Sequence, residues 1–245
     1  MIPSDFMHTE IYSTSNPVII SVGGALIVPK TGIAIDFLRG LNTLIRNQIK
    51  KGRRFILVAG GGHTCRQYCE ASTTVIHSLT HEEIDWLGIH ATRLNGQLLR
   101  TIFVDIAHKR MIENYSHKLE NWTEPLAIAA GWKPGSSTDY CTTYLAHEYG
   151  AQTIINLSNI DYVYDKDPNK FTDAKPQYHM SWAQMKELVG TEWIPSMHSP
   201  FDPVASAFAA EHDFSVLVCN GNNLANLEAI LDGQPAQATL ISNRS

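Results

Sequence analysis

Two glycine clusters in the first part of the chain have the composition and position of phosphate-binding turns. Gly23 and Gly24 follow the apolar run 18–22, and Gly60–Gly62 follow the apolar run 55–59. Apolar runs rich in β-branched residues predict buried strands, and glycines at a strand end let the backbone turn and let a ligand approach it. A helix after such a turn directs its first N–H groups at an anion. Neither cluster has the spacing of a standard nucleotide motif, so two tight turns stay the alternative.

Polar segments follow two further predicted strands. The segment 131–139 comes after the short apolar run 126–129, and the segment 158–168 comes after the run 153–157. In an open parallel sheet, ligands bind beyond the carboxyl ends of the strands. The polar segments and the glycine clusters are therefore expected at one edge of a sheet, where together they favour a phosphate-handling site.

Strand and helix patterns alternate along the chain and must position these residues. Apolar residues at helical spacing, with capping residues before them and glycines after them, predict the helices. The helix signals are Ile35 to Ile49 ending at Gly52, a start near Thr64, a capping box at Thr80–Glu83, Ser137–Asp139 ending at Gly150, and a capping box at Ser181–Gln184 ending at Gly190. The last clear strand is 215–219. The alternation predicts an α/β fold with a mostly parallel central sheet and helices on both faces.

The composition is that of a soluble globular protein. The chain has 245 residues, of which 44% are apolar and 18% are charged. Its net charge of -5 argues against a general nucleic-acid or membrane-surface binder, and no apolar run is long enough to span a membrane. Residues 1–16 are polar and are predicted to form a flexible tail, with a single domain over 17–245.

The four cysteines indicate a reducing compartment rather than a disulfide framework. Cys65, Cys69, Cys141 and Cys219 form no Cys-x-x-Cys pair, and reduced thiols in a cytoplasmic protein are the prediction. Cys65 and Cys69 lie one helical turn apart and could hold a metal together with His63. No second ligand pair is near them in the sequence, so no metal site is predicted.

The segments after the four strands, taken in order, resemble the amino-acid kinase family, and within it the archaeal-type UMP kinases. The most specific match is Asn159–Pro168, which is similar to the family's Asn-Val-Asp-Gly-Val-Tyr segment with an Asp-Pro close behind. Pro134–Asp139 is similar to a loop that ends Thr-Thr-Asp. Gly60–Gly62 with Arg66 resembles the second phosphate loop, and Asp202–Ala205 resembles a helix start. The resemblance runs from about residue 17 to residue 232.

The resemblance implies a three-layer αβα fold and an enzyme that transfers the ATP γ-phosphoryl group to UMP, giving UDP in pyrimidine nucleotide biosynthesis. ATP and UMP are the implied partners, and Mg²⁺ would be carried by ATP. The resemblance also implies a homo-oligomer, a hexamer in the family. The part of the domain before about residue 130 would bind the acceptor, and the part after it would bind ATP.

The resemblance also gives roles to individual residues. The ATP-binding residues would be Ser21, Val22, Gly23, Gly24, Ala25, Gly62, Arg66, Ser158, Tyr164 and Asp167. The UMP-binding residues would be Gly61, Asp85, Trp132, Lys133, Pro134, Gly135, Ser136, Ser137 and Thr138. Ser21, Gly24 and Arg66 would be catalytic. Arg66 would place charge at the transferring group, and Asp85 would accept hydrogen bonds from the UMP ribose hydroxyls.

The chain departs from the family pattern in three places. Many members carry lysine two residues before the first glycine pair, where this chain has Ser21, and the residue after the pair is Ala25 rather than serine. The uridine loop has Ser136 and Ser137 where relatives often have His-Thr, and Lys133 in the same loop could replace the lost charge. Some archaeal members also lack the lysine.

These departures leave two other functions open. One is a kinase of the same fold that acts on another small phosphate or carboxylate. The other is a non-catalytic protein that stores ATP and oxyanions such as molybdate or tungstate. Each residue also has an ordinary explanation: Arg66 as a solvated charge, Asp85 as a first-turn helix charge, and Tyr164 as part of the core.

Overall fold

The computed structural model describes residues 16–168, 170–192 and 199–244. Its strands are β1 (Val18–Val22), β2 (Phe55–Ala59), β3 (Leu126–Ala129), β4 (Thr153–Ser158), β5 (Val163–Tyr164), β6 (Pro176–Gln177), β7 (His179–Met180), β8 (Ser215–Asn220) and β9 (Thr239–Ile241). Its helices are α1 (Gly24–Ile27), α2 (Ile35–Lys50), α3 (Gly62–Val75), α4 (His81–Ile102), α5 (Thr138–Tyr149), α6 (Trp182–Val189), α7 (Pro203–Glu211) and α8 (Leu224–Leu231). The tail predicted over 1–16 lies outside these residues except for Asn16, whose side chain donates to the Gly150 carbonyl at 2.8 Å.

Seven strands form the central sheet, in the order β3-β2-β1-β4-β8-β9-β7. Neighbouring strands are parallel except for the antiparallel pair β8 and β9. Strands β5 and β6 form a separate antiparallel pair. The predicted mostly parallel sheet is therefore confirmed.

Helices cover both faces of this sheet, and β1 shows how its residues divide between them. Ile20 packs in a cluster with Leu41 of α2, whereas Ile19 packs in a second cluster with Leu145 of α5. Because side chains alternate along a strand, Ser21 points to the same face as Ile19. This is the face covered by α5, α6 and α7, so the fold has three layers.

Local sequence signals set the helix ends. Thr80 and Ser181 both form the predicted capping boxes, and Ser137 caps α5 by accepting a hydrogen bond from the Tyr140 amide. Gly150 ends α5 in the left-handed conformation, with φ of 73°. In the described residues, no helix combines the length and the apolar character that a membrane crossing requires.

Candidate active site

The two glycine clusters meet at the carboxyl ends of β1 and β2. The Gly60 amide donates to the Val22 carbonyl at 3.0 Å, which joins the two turns. A Cβ atom added to Gly24 would lie 2.0 Å from the amide nitrogen of Gly62, so the turns touch through bare backbone. Gly62 also has a φ of +66°, a conformation that favours glycine. The glycines are therefore required by the contact between the turns as well as by the turns themselves.

The same turns leave backbone donors free. Within the described residues, the N–H groups of Gly24, Gly61 and Gly62 have no hydrogen-bond partner. The carbonyls of Gly60 and Gly61 instead accept hydrogen bonds of 2.8 and 3.1 Å from the side chain of Asn95, a buried residue of α4. Fixing these carbonyls fixes the direction of the neighbouring N–H groups. Oriented, unpaired N–H groups are what binds a phosphate in a glycine-rich turn.

A cavity of about 240 Å³ opens beside the glycine turns. Three segments predicted to bind the acceptor meet there: Gly61 after β2, Asp85 of α4, and the loop residues Ser136, Ser137 and Thr138. They come from distant parts of the sequence. Their convergence on one cavity makes it the candidate acceptor site.

Closely approaching backbone shapes the floor of the cavity. The Thr92 hydroxyl accepts a hydrogen bond from the Gly131 amide at 2.8 Å and donates to the Ile89 carbonyl at 2.7 Å. A Cβ atom on Gly131 would lie 2.7 Å from that hydroxyl oxygen, and one on Gly61 would lie 2.7 Å from the Cβ of Cys65. Larger residues at these glycines would therefore displace the cavity wall.

Asp85 faces the loop that closes the cavity. It lies in the second turn of α4, and its Oδ2 accepts a hydrogen bond from the Gly135 amide at 2.7 Å. Burial raises the pKa of Asp85 above its ordinary value, and the Gly135 hydrogen bond opposes that rise. The carboxylate has a second oxygen that can accept from a ligand hydroxyl.

Four of the predicted acceptor residues lie outside the cavity lining: Trp132, Lys133, Pro134 and Gly135. The Trp132 ring packs against Tyr115 and Tyr144, each with a centroid separation of 5.3 Å. The Lys133 ammonium lies 4.3 Å from the centroid of the Trp132 ring, a cation–π contact. The first half of the loop is therefore anchored to an aromatic layer, and the second half forms the cavity wall.

Two carboxyl groups for which no role in the site was predicted also line the cavity, although Asp139 ends the loop that resembles the family's. Asp139 lies in the first turn of α5, and Asp202 is the N-cap of α7. The Asp202 amide donates to Asp139 Oδ2 at 3.1 Å. Each lies at a helix start, where a carboxyl group has an ordinary capping or first-turn role, so no local pattern indicated that the two meet in the cavity. Gly88 and Thr92 of α4 were not predicted as cavity residues because no local pattern marks them, and Cys65 was considered only as a metal ligand.

The residues predicted to bind ATP form two groups. Residues 21–25, Gly62 and Arg66 lie at the glycine turns and in α3, whereas Ser158, Tyr164 and Asp167 lie at the end of β4 and after it. A Cβ atom on Gly23 would lie 2.6 Å from the Leu157 carbonyl oxygen and 3.7 Å from the Ser158 Cα, so the first turn abuts the end of β4. Tyr164 is in β5, and Asp167 follows it with an ion pair to Lys170 at 3.7 Å. The first glycine turn therefore lies next to Ser158 at the end of β4.

Three predicted catalytic positions have different surroundings. Gly24 forms the contact between the turns. Ser21 is 2% exposed within β1, in register with Val58 and Asn156. Arg66 is half-buried on α3 and forms no hydrogen bond or ion pair with any residue that the structure describes, which leaves its guanidinium available to a ligand.

The cavity also contains a neutral thiol. Burial raises the pKa of Cys65 to about 12, the neighbouring Cys69 adds to the rise, and Arg66 opposes it. The sulfur atoms of Cys65 and Cys69 are 3.9 Å apart. Over residues 16–168, 170–192 and 199–244, no group of three or more His, Cys, Asp or Glu side chains is placed to hold a metal ion.

Glycine turns at the ends of parallel strands, next to a cavity lined in part by carboxyl and hydroxyl groups, are typical of phosphate-binding α/β proteins. The amino acid kinase family model matches residues 16–220, and the chain belongs to this family. A uridylate kinase from Sulfurisphaera tokodaii is 30% identical over 203 residues, which cover 82% of this chain and 89% of that protein. A uridylate kinase from Methanothermobacter thermautotrophicus is 29% identical over 219 residues, 89% of this chain and 96% of that protein.

Solved structures share the fold. The uridylate kinase from Archaeoglobus fulgidus superimposes with a TM-score of 0.74 at 23% identity, covering 92% of this chain and all of that one. The UMP kinase from Bacillus anthracis superimposes with a TM-score of 0.73 at 18% identity, covering 94% of this chain and 97% of that one.

Proposed function

We propose that this chain is a UMP kinase that transfers the γ-phosphoryl group of ATP to UMP, giving UDP. The observation that carries the proposal is the meeting of Gly61, Asp85 and the loop 136–138 in one cavity beside the glycine turns. Relatives named uridylate kinase, about 30% identical over most of the chain, support the same substrate.

The proposed reaction depends on positioning and charge neutralisation rather than on covalent catalysis. Phosphoryl transfer requires donors around the moving group and an aligned acceptor. The N–H groups of Gly24 and Gly62 would hold the ATP phosphates, and that of Gly61 would face the UMP phosphate. Arg66 would meet the charge that develops on the transferring group. Asp85 would fix the UMP ribose through its free oxygen.

Mg²⁺ is proposed to arrive with ATP. When bound, it would neutralise part of the phosphate charge.

We also propose the predicted division of the domain into an acceptor-binding part and an ATP-binding part, with one addition. Gly61, Asp85 and Gly131 line the cavity from the first part and its border, whereas Ser136–Asp139 and Asp202 line it from the second. The ATP part would thus supply one wall of the acceptor site. Both parts are needed to close it.

A homo-oligomer is also proposed. Trp86, His90, Leu94, Gln97 and Thr101 form an exposed stripe along α4 without Asp, Glu, Lys or Arg. Trp86 and Leu94 are 39% and 65% exposed, and exposed apolar side chains in a row suit a contact with a second copy. Light scattering of the purified protein tests the proposal, and Leu94→Asp should shift the mass toward the monomer.

An ADP-release assay across nucleoside monophosphates and small acids tests the function. UMP with ATP and Mg²⁺ should give UDP, and removal of Mg²⁺ by a chelator should stop the reaction. Turnover of another acceptor but not UMP would favour a different kinase of the same fold. ATP binding without turnover of any acceptor would favour the storage function, which the neutral residue Ser21 keeps open.

A further inference from the structure

Two carboxyl groups in the acceptor cavity have no role in the proposed function so far. Asp139 and Asp202 line the cavity from the starts of α5 and α7. The hydrogen bond from the Asp202 amide to Asp139 Oδ2 holds them side by side.

The donors around the pair are unequally shared. Asp202 Oδ1 accepts hydrogen bonds from the Val204 and Ala205 amides at 2.8 and 2.9 Å, and its Oδ2 accepts a short hydrogen bond from the Ser137 hydroxyl. Among the described residues, Asp139 accepts only the amide of Asp202. Burial raises the pKa of Asp202 as well, and its hydrogen-bond donors oppose that rise. Because Asp139 has fewer donors, we assign the carboxylate of the pair to Asp202.

No basic side chain in the described ranges forms an ion pair with either member. The face of the sheet beneath α5 and α7 carries the neutral residues Ser21 and Asn156, which are neighbours on adjacent strands. The Asn156 side chain donates to the Pro200 carbonyl at 3.2 Å. Two adjacent carboxyl groups without a cation disfavour the doubly ionised state of the pair, which favours a proton on Asp139.

The other titratable groups around the cavity do not supply a neutralising charge to Asp139. Asp85 on α4 is a further carboxyl group, and Cys65 on α3 and Cys141 on α5 are thiols whose pKa burial raises to about 12. The charge of Arg66, on α3, opposes the rise in the pKa of Cys65. Burial, followed by the charge of Asp202, raises the pKa of Asp139 to about 8.

We propose that Asp139 and Asp202 together hold one proton, which lies on Asp139, and that this proton allows the phosphate group of the acceptor to bind in the cavity. The inference rests on the proposed function. A neutral carboxylic acid can donate its O–H to a phosphate oxygen, whereas a second carboxylate would repel the dianion. Acceptor binding should therefore be linked to the occupancy of this proton.

The link between proton binding and UMP binding sets how steeply the Kd for UMP depends on pH. If binding requires one proton, the Kd for UMP rises about tenfold for each pH unit above the pKa of the pair. Measurement of UMP binding by calorimetry between pH 7 and pH 9, without ATP, follows this directly. The phosphate of UMP has a second pKa of about 6, so it is a dianion across the range.

Two variants make the test specific. Asp139→Asn keeps an acceptor for the Asp202 amide and presents an amide N–H in place of the acid O–H, so its Kd should stay flat across the range. Asp202→Asn, which keeps a helix-capping residue, removes the neighbouring charge and should move the rise in Kd to lower pH. Both proteins meet the same ligand at every pH, so ionisation of UMP itself cancels in the comparison.

A second readout needs no acceptor. In protein labelled with ¹³C at the aspartate carboxyl groups, the signal that Asp139→Asn lacks should titrate near pH 8. A midpoint below pH 5, or equal pH dependence of UMP binding in wild type and Asp139→Asn, would overturn the inference. If the signal titrates near pH 8 but UMP binds at no pH, the proposed function fails and the role of the proton in acceptor binding fails with it, while proton sharing stands.

Discussion

Asp85 and Gly135, fifty residues apart in the sequence, are joined by a 2.7 Å hydrogen bond from the Gly135 amide to Asp85 Oδ2. The bond ties the second turn of α4 to the loop that closes the acceptor cavity. One carboxylate thus orders the loop with one oxygen and leaves the other for a substrate hydroxyl. The role proposed for Asp85 in ribose binding therefore includes positioning of the loop.

Asp85→Asn should weaken the binding of UMP more than the binding of ATP. Hydrogen bonds to a charged group contribute about 1.5–3 kcal/mol each, so the KM for UMP should rise about tenfold or more while the KM for ATP changes little. Glu82→Gln is the matched control, because it removes the same charge from the first turn of α4 outside the cavity lining. Equal rises in both KM values would show that Asp85 acts through the fold.

Arg66→Ala should lower kcat more than it weakens substrate binding. A guanidinium that meets charge developing on the transferring phosphoryl group contributes to the transition state, and such a contact appears in kcat. We expect kcat to fall at least about tenfold, and Arg66→Lys should restore only part of it because lysine lacks the planar fork. A change confined to KM would assign Arg66 to ground-state binding, and no change would make it a solvated charge.

Gly24→Ala and Gly88→Ala should have different effects on thermal stability and on the kinetic constants. The new methyl group at position 24 would lie 2.0 Å from the Gly62 amide nitrogen, whereas at position 88 the nearest atom would be the Cys65 sulfur at 3.5 Å. Overpacking against rigid backbone costs about 1–3 kcal/mol or more, so Gly24→Ala should lower both Tm and kcat. Gly88→Ala should keep or raise Tm, since alanine favours helix by about 1 kcal/mol, but should raise the KM for UMP. Loss of stability in both variants would contradict this distinction.

The raised pKa of Asp139 also predicts the pH dependence of stability. The folded state keeps a proton near pH 7 that the unfolded chain, with an ordinary carboxyl group, releases near pH 4. Stability from this group is therefore fully present below about pH 4 and is lost as the pH rises through about 8. The difference in Tm between Asp139→Asn and wild type should grow in favour of the variant between pH 5 and pH 8. A constant difference would show that Asp139 is ionised in the folded protein.

The sequence predicted the elements whose signals are local. Both capping boxes, the Ser137 cap and the αL glycine at Gly150 lie where expected, because each depends on residues within one helical turn. Helix α3 begins at Gly62, two residues before Thr64, near which a helix start was predicted, and the backbone of Gly62 also contacts Gly24. That contact is long-range, and a local pattern does not contain it.

The same reason explains what the sequence missed in the site. Asp85 and the loop 136–138 carry polar side chains in a motif, so a resemblance could identify them. The side chain of Asn95 positions the second glycine turn from the middle of α4, and Asp139 and Asp202 meet from helices more than sixty residues apart. Their roles depend on tertiary packing. Trp132 is the opposite case. Its place in the loop motif predicted a contact with UMP, whereas in the structure its ring packs against Tyr115 and Tyr144.

Ser21→Lys distinguishes the proposed kinase from a storage protein. Position 21 is buried in β1 on the face covered by α5 and α7, the helices that begin at the carboxyl pair. A lysine there would place an ammonium group beneath a site that already handles phosphates with Gly24, Gly62 and Arg66. We expect kcat for UMP to stay within a few fold of wild type, because those groups remain in place.

The same variant should change the pH dependence of acceptor binding. An ammonium group near the pair would favour the ionised form of Asp139, so the loss of UMP affinity should move to lower pH. Assays of wild type and Ser21→Lys across pH 7 to 9 measure both effects. A wild type inactive on UMP, together with a strongly active Ser21→Lys variant, would identify the natural chain as a binding protein that lacks its catalytic charge.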